Sequence, residues 1–461
     1  MTVGLSRIKV VGEAVAAAGH TLMLHPARVV PTAYLIGWIL GTVLLRLPWC
    51  ATNQDTTWWQ AAFTSMSALC ITGLAVVDTA SHWSHLGQAV ILLLIQVGGF
   101  GIMTLTSMVV FTVTRRVSPT VARIAKEETR SGLKDFRRLP ARILFFSLAC
   151  EGILALALTL RFMRRGMPSE TATYHGVFHS ISAFNNAGFA LYPDNLVGFN
   201  QDPWIMVPIG MAIVVGGIGF PVWIELTDRW RGHVRRRLLS VHLRMTLWAY
   251  TALLLAGFLA VCLFEWSNPY TLGDQPLSGK LLGAFGGTVF PRTAGFNSID
   301  YGEVTAPTLL VTDVLMMIGG GTAGTAGGLK VTTVAVLLLT VFAEIRGEEV
   351  TIVGGRRLSN ECVRSALAVA VLGTTVVFTA VLVMAAHEPF ALDHLVFEAI
   401  SAFGTVGLST GLTTRVSHLS WGVLMVLMYL GRVGPVSAAA ALAMRARLRR
   451  FEYPPEDPLV G

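Results

Sequence analysis

Four short segments of the chain repeat one arrangement of glycine and apolar residues. Each segment begins with Phe, reaches a Gly ten residues later, and follows that Gly with Leu or Phe. Glycine lacks a Cβ and adopts positive φ at little cost, so the carbonyls beside it can turn toward one axis. A ring of carbonyl oxygens can replace the water around a dehydrated cation. We call residues 63–74, 178–189, 285–296 and 397–408 the glycine segments.

The spacing of these segments indicates an internal repeat. Their glycines, which we call the segment glycines, are 115, 107 and 112 residues apart. One unit of about 110 residues therefore occurs four times. We divide the chain into repeats 1–114, 115–227, 228–344 and 345–461.

The predicted ion site consists of backbone groups from all four segments. The ring itself comprises Thr72, Gly73, Ala187, Gly188, Ala294, Gly295, Val406 and Gly407. Further carbonyls for the cation are expected near Cys70, Ile71, Asn185, Asn186, Arg292, Thr293, Gly404 and Thr405.

The elements that must position this ring belong in a membrane. Hydrophobic residues make up 53% of the 461 residues, charged residues only 13%, and the mean hydropathy is +0.62. Stretches this apolar can cross a hydrocarbon core of about 30 Å. Eight spans are predicted at 29–47, 86–113, 143–160, 204–226, 245–264, 306–342, 363–386 and 419–443.

Each glycine segment falls between an odd span and the next even span. The apolar stretches that lead into the segments, such as 58–70 and 392–403, are too short to cross. We interpret them as half-helices that enter the membrane and return through the glycine, which is possible only where protein or a water-filled cavity surrounds the backbone. The expected fold is an all-α integral membrane protein with four span–half-helix–span repeats around a pseudo-fourfold pore.

The basic residues predict the orientation. Alternate loops place 26 of 35 Lys and Arg on the side of both termini, including a basic 115–142 loop and the run Arg235, Arg236 and Arg237. The positive-inside rule makes that side cytoplasmic. The trio Arg161, Arg164 and Arg165 is a local exception on the outer side. This sidedness accounts for the net charge of +8 without nucleic-acid binding.

Residues 319–328, the glycine-rich loop, lie in the middle of the sixth predicted span and contain six glycines. Each costs close to 1 kcal/mol against Ala in a helix, so the span should break there. We expect a flexible flap across the pore; close packing of small residues is the alternative. Gly319, Gly321 and Gly324 also fit a dinucleotide fingerprint, but the βαβ context is missing. The predicted gate comprises Gly319, Gly320, Gly321, Gly324, Gly327, Gly328, Lys330 and Arg432.

Arg432 lies in the middle of the eighth span. An Arg at the bilayer centre must face the protein interior and find acceptors, such as the carbonyls of a broken helix. An ion pair with Glu151 of the third span is the alternative. Lys330 could instead extend toward the cytoplasmic surface.

The chain resembles the membrane subunit of the Trk/Ktr/HKT superfamily of potassium transporters. The resemblance covers essentially the whole chain through CITGL, NNAGF, RTAGF, GTVGL and the glycine-rich loop. It implies that the segment glycines form the ion filter, that the glycine-rich loop is the gate, and that Arg432 latches it. A Ser at the first segment glycine is associated with sodium transport in this superfamily, so Gly73 implies a preference for potassium. The absence of GYG predicts modest selectivity over Na⁺.

The resemblance also implies partners and location. Only about 28 residues precede the first span, whereas Trk-type members usually carry two more N-terminal helices, so the Ktr type is favoured. That type implies a bacterial cell-membrane protein that forms homodimers and binds a separate cytoplasmic nucleotide-binding ring. Dependence of uptake on Na⁺ stays open, as does the alternative of a Na⁺ transporter or secondary symporter. A membrane enzyme is disfavoured because no acid/base constellation lies in a span.

Three acids lie five or six residues beyond their segment glycines: Asp78, Asp194 and Asp300. Carboxylates around an external mouth would concentrate cations. Local capping of each loop is the equally weighted alternative.

Overall fold

The computed structural model describes residues 26–52, 55–117, 132–231 and 239–444. The predicted cytoplasmic termini, half of the basic 115–142 loop and the Arg235–Arg237 run lie outside the described residues.

The first repeat contains two long helices on either side of a short one. Thr57 and Gln60 form a capping box that starts the short helix, because each side chain bonds the other's backbone N–H at 3.2 and 2.8 Å. The elements are α1 (Pro26–Leu45), a 3₁₀ turn (Pro48–Cys50), α2 (Trp58–Cys70), α3 (Thr79–His82) and α4 (His85–Val117).

The second repeat has the same order but ends differently. Gly219, at φ +103°, separates two helices that meet at 94°. The span predicted over 204–226 is therefore built from two helices rather than one. The elements are α5 (Gly132–Arg164), α6 (Ser169–Phe184), a 3₁₀ turn (Val197–Phe199), α7 (Pro203–Ile218) and α8 (Phe220–Trp230).

The third repeat contains the predicted break in the sixth span. The helix stops at Met317 and resumes at Val331, so the glycine-rich loop is not helical. The elements are α9 (Val241–Glu265), α10 (Leu277–Val289), α11 (Ala306–Met317) and α12 (Val331–Ile345).

The fourth repeat begins with a two-residue hairpin. Its turn residues, Gly354 and Gly355, have φ of 57° and 78°, as tight two-residue hairpins require. Ile352 pairs with Arg357 in the antiparallel ladder. The elements are β1 (Ile352–Val353), β2 (Arg356–Arg357), α13 (Asn360–Ala385), α14 (Leu392–Gly404) and α15 (His418–Met444).

The short helices α2, α6, α10 and α14 lie inside the molecule, packed between the longer ones. Their predicted extents, 58–70 and 392–403, agree with α2 and α14 within one residue. The long helices turn apolar side chains outward, as Leu259 on α9 and Phe378 on α13 illustrate. Such exposed apolar faces suit contact with lipid.

Within the described residues, four helices are long and apolar enough to cross a membrane. Counted as one span, the bent pair α7 and α8 gives a fifth, whereas α11, α12 and residues Val30–Leu45 of α1 are shorter apolar helices. The protein is thus a mostly helical, multi-pass membrane protein.

Candidate ion-conduction site

The four glycine segments share an unusual backbone. The residue two positions before each segment glycine is left-handed, with φ of 57° at Ile71, 60° at Asn186, 68° at Thr293 and 48° at Thr405. Three of these four are β-branched, and β-branched residues rarely adopt positive φ. Strain of this kind persists only where the surroundings impose it, and it is concentrated at functional sites.

The segment glycines form a closed cycle. Their φ values are 92°, 70°, 69° and 97° in chain order. A Cβ added to Gly73 would lie 3.1 Å from Cα of Gly188, and one on Gly188 would lie 2.8 Å from Cα of Gly295. A Cβ on Gly295 would lie 3.1 Å from Cα of Gly407, and one on Gly407 would lie 2.9 Å from Cα of Gly73. Each segment therefore touches the next, and the fourth touches the first.

A carbonyl oxygen lies at each point where two segment glycines meet. The oxygens beside the added Cβ positions belong to the residues that precede the segment glycines: Thr72, Ala187, Ala294 and Val406. The eight residues predicted for the ring are thus brought together. The further carbonyls predicted near Cys70, Ile71, Asn185, Asn186, Arg292, Thr293, Gly404 and Thr405 stay a prediction.

A serine beneath three of the segments holds the backbone in place. In the first and fourth segments, the carbonyl of this serine accepts the N–H of the residue before the segment glycine. Thr72 N donates to Ser67 O at 2.8 Å, and Val406 N donates to Ser401 O at 2.8 Å. The hydroxyls of Ser67 and Ser401 accept the N–H of Gly73 and Gly407 at 3.0 and 3.1 Å.

The second and third segments vary this support. Ser182 accepts from Ala187 N at 2.7 Å, and its hydroxyl donates to the carbonyl of Phe189. The third segment has Val289 at this position, and Phe290 O accepts from Ala294 and Gly295 instead. Sequence reasoning missed these serines, although their alignment six residues before three glycines was visible.

The glycine-rich loop fits against the break in the second repeat. Gly321 N donates to Gly217 O at 2.8 Å, Thr325 N to Gly216 O at 3.2 Å, and Phe220 N to Ala323 O at 3.2 Å. Backbone groups freed at one broken helix are therefore satisfied by the other. The loop also reaches the fourth segment, because a Cβ on Gly328 would lie 3.2 Å from Cα of Gly404.

Three cationic side chains donate to carbonyls in this loop. Arg432, which is 3% exposed, donates to Thr325 O, and Lys330 Nζ donates to Ala326 O. Arg292, fully buried in the third segment, donates to Gly319 O at 2.8 Å and lies 4.1 Å from the ring centre of Tyr250. Sequence reasoning placed Arg432 correctly beside freed carbonyls but missed the side chain of Arg292.

The alternative partner for Arg432 is engaged elsewhere. Among the described residues, Glu151 accepts from Gln96 Nε2 at 3.2 Å and from Asn185 Nδ2 at 3.0 Å. These amides satisfy a buried carboxylate by hydrogen bonds rather than by an ion pair. The Glu151–Arg432 pair is not formed.

The outer acids have local hydrogen bonds. Asp78 accepts Ser81 N at 2.9 Å, Asp194 accepts Gly198 N at 2.8 Å, and Asp300 accepts Gly302 N at 2.9 Å. Capping of each loop is therefore present, and attraction of cations stays a prediction.

The outer arginines also have a partner. Arg161 and Arg165 lie 2.9 and 3.1 Å from the carboxylate of Asp202, the residue that caps α7. This pairing balances part of the charge of the two arginines, and their location on the outer side stays a prediction.

The fold is that of a helical membrane protein, and comparison with known proteins gives its class and family, which are those of transporters and not of enzymes. The model of the TrkH family, described as a cation transport protein, matches residues 34–447. The chain belongs to the TrkH family of cation transport proteins. The resemblance inferred from the glycine segments is confirmed.

Individual relatives cover nearly the whole chain. The Ktr system potassium uptake protein B of Bacillus subtilis is 36% identical over 95% of this chain and 97% of its own. The potassium/sodium uptake protein NtpJ of Enterococcus hirae is 32% identical over 95% and 98%. The crystal structure of the potassium transporter TrkH from Vibrio parahaemolyticus matches with a TM-score of 0.66 at 19% identity, over 90% of this chain and 85% of that one, which supports the fold.

Proposed function

We propose that this protein takes up K⁺ across the cell membrane through a selectivity filter made of the four glycine segments. The observation that carries the proposal is the closed cycle of segment glycines, each at positive φ, with the carbonyl oxygen of the preceding residue at every joint. Rings of backbone carbonyls are the established means of replacing the hydration shell of a potassium ion.

The half-helices add a favourable field. The C-terminal ends of α2, α6, α10 and α14 lie three to six residues before the segment glycines. Helix C-termini carry about half a negative charge each, which favours a cation at their common focus.

The glycine-rich loop is proposed as the gate. It lies against the fourth segment at Gly404 and is held by Arg432, whose positive charge would also oppose a cation beneath the filter. Because its hydrogen bonds involve only short stretches of backbone, the loop can leave without unfolding a helix. Lys330 and Arg292 hold two further points of the same gate.

Further parts of the proposal rest on the family. The four repeats surround the filter with eight spans, both termini lie in the cytoplasm, and the chain works as a homodimer with a cytoplasmic nucleotide-binding ring. The relatives named as Ktr system proteins support a membrane subunit that works with a separate regulatory subunit. Transport of Na⁺, or dependence on it, is the second candidate, because one relative is named for potassium and sodium.

The test is ion flux through the purified chain in liposomes, in K⁺ alone, in Na⁺ alone and in K⁺ with a Na⁺ gradient. We expect K⁺ flux to exceed Na⁺ flux, and Gly73→Ser to reduce that preference. Gly152→Ser on α5 is the matched control, because no atom lies within 4 Å of its added Cβ. Equal K⁺ and Na⁺ fluxes in the unaltered protein would contradict a K⁺ filter.

A further inference from the structure

A second contact recurs behind the glycine segments, between a side chain on the half-helix and the backbone on the outer side of the filter. We define the outer limbs as the three residues after each segment glycine, at 74–76, 189–191, 296–298 and 408–410. The contact joins the last residue of an outer limb to the residue nine positions before the segment glycine.

In the fourth repeat the side chain is Glu398. It is fully buried, and its carboxylate accepts from Ser409 Oγ at 2.5 Å, Thr410 N at 3.1 Å and Thr413 Oγ1 at 2.6 Å. A buried carboxylate surrounded by donors is stable in the interior because its oxygens are hydrogen-bonded. Glu398 thus ties the outer limb of the fourth segment to α14.

In the second repeat the side chain is His179. Its Nδ1 bonds the carbonyl of His175 at 2.7 Å, so that nitrogen carries the hydrogen of the neutral ring. Nε2 is then an acceptor and takes the N–H of Leu191 at 3.3 Å. Leu191 and Thr410 occupy the same position, three residues after their segment glycines.

The third repeat reverses the contact. Gly286 occupies the half-helix position, and the space of its missing side chain is filled by Ser298, the last residue of the outer limb. Ser298 Oγ donates to Gly283 O on α10 at 3.1 Å. In the first repeat the two positions hold Thr64 and Val76, and the Thr64 hydroxyl has no hydrogen-bond partner among the described residues.

We propose that the residue nine positions before each segment glycine sets how firmly the outer limb is held, and that Glu398 and His179 are positioning residues for ion selectivity. This rests on the proposed function of the glycine segments as a filter. Groups that coordinate an ion must be held close to their productive geometry by a supporting shell. Three segments have such a tie, and the first does not, so the four sides of the filter are held unequally.

The experiment compares Glu398→Gln with Glu265→Gln in the full chain. Glu265 is a matched control, because it is also fully buried and accepts from Thr271, Thr305 and Thr308, but it lies at the end of α9 outside the glycine segments. Glutamine keeps the volume at both positions and removes one acceptor oxygen.

Two readouts are measured on each purified variant. The first is the ratio of K⁺ to Na⁺ flux in liposomes, and the second is the K⁺ concentration that gives half of the K⁺-dependent rise in melting temperature. We expect Glu398→Gln to lower the flux ratio and raise that K⁺ concentration by about fivefold each, as the loss of one buried hydrogen bond would. Glu265→Gln should lower the melting temperature without K⁺ and change neither readout.

His179 gives an independent pair of variants. His179→Gln retains an acceptor near the position of Nε2, whereas His179→Phe fills the space without one. We expect the flux ratio to fall in His179→Phe and to be largely retained in His179→Gln.

The outcomes separate this inference from the proposed function. If the unaltered protein shows no preference for K⁺ over Na⁺, the proposed filter itself is contradicted. Preference in the unaltered protein with identical readouts for Glu398→Gln and Glu265→Gln would overturn the positioning role and leave the filter intact. If Glu398→Gln does not fold, the His179 pair decides: equal ratios in both His179 variants would overturn the proposal.

Discussion

The glycine segments and the glycine-rich loop are both rich in glycine, but their backbones are held in different ways. In the segments, glycine sits in a backbone fixed by hydrogen bonds from within the same repeat, as between Ser401 and Gly407. In the loop, the backbone is held by groups from distant parts of the chain, such as Arg432 and Gly217. Local support therefore reaches each segment from its own repeat, with differences in detail from one segment to the next. Distant support makes the loop dependent on contacts that can be lost together.

The largest expected effect comes from breaking the cycle of segment glycines. In Gly188→Ala the new Cβ would lie 2.8 Å from Cα of Gly295, at a φ of +70° that costs an alanine about 1–3 kcal/mol. K⁺ flux in liposomes should fall by at least about tenfold. The control is Gly422→Ala on α15, which has no atom within 4 Å of the added Cβ. Similar flux in both variants would contradict a closed ring.

Removing the distant support of the loop should have the opposite sign. Arg432→Ala deletes the hydrogen bond to Thr325 O. A charged hydrogen bond contributes about 1.5–3 kcal/mol, so the loop should leave the pathway more often and K⁺ flux should rise by up to about tenfold. Arg432→Lys, which retains the positive charge but lacks the planar guanidinium group, should give an intermediate flux. A folded Arg432→Ala protein without flux would show that the loop belongs to the conducting path.

A smaller effect is expected from the local support of one segment. Ser401→Ala removes the hydroxyl that accepts Gly407 N at 3.1 Å, a loss of about 1 kcal/mol. The K⁺ to Na⁺ flux ratio should therefore fall by a few-fold. The fall should be no larger, because the third segment already has Val289 in place of this serine. Ser420→Ala is the control, because it removes a buried hydroxyl bonded to Glu388 in the loop between α13 and α14. A matching fall in that control would point to general loosening.

The smallest effect concerns the outer acids. Changing Asp78, Asp194 and Asp300 together to Asn should lower K⁺ uptake at 0.01 M salt, where the Debye length is about 30 Å, and much less at 0.1 M, where it is about 10 Å. Asparagine retains an oxygen for each local hydrogen bond, so capping is largely preserved. Uptake measured at both salt concentrations decides the matter, since an equal loss at each would assign the acids to capping alone.

The sequence alone determined the features that depend on neighbouring residues. The four Phe-to-Gly segments, the half-helix from Trp58 to Cys70 and the break before Val331 were all visible, because helix length and glycine content act over a few residues. The family could also be recognised from the same segments.

Tertiary structure decided what depends on distant partners. The bend at Gly219 could not be settled from the sequence, because an apolar run is equally typical of a straight span, and the backbone groups that the bend frees are satisfied by a loop about 100 residues later. The left-handed backbone at Ile71 and Thr405 was also not predictable from residue type, since β-branched residues do not favour positive φ, although the hydrogen bonds that accompany it lie within one repeat. The sequence also did not decide which carbonyls Arg432 and Arg292 contact, because those carbonyls lie in a distant part of the chain. A chain specifies its local geometry through steric preferences, but only the assembled fold brings carbonyls and cations from different repeats within hydrogen-bonding distance.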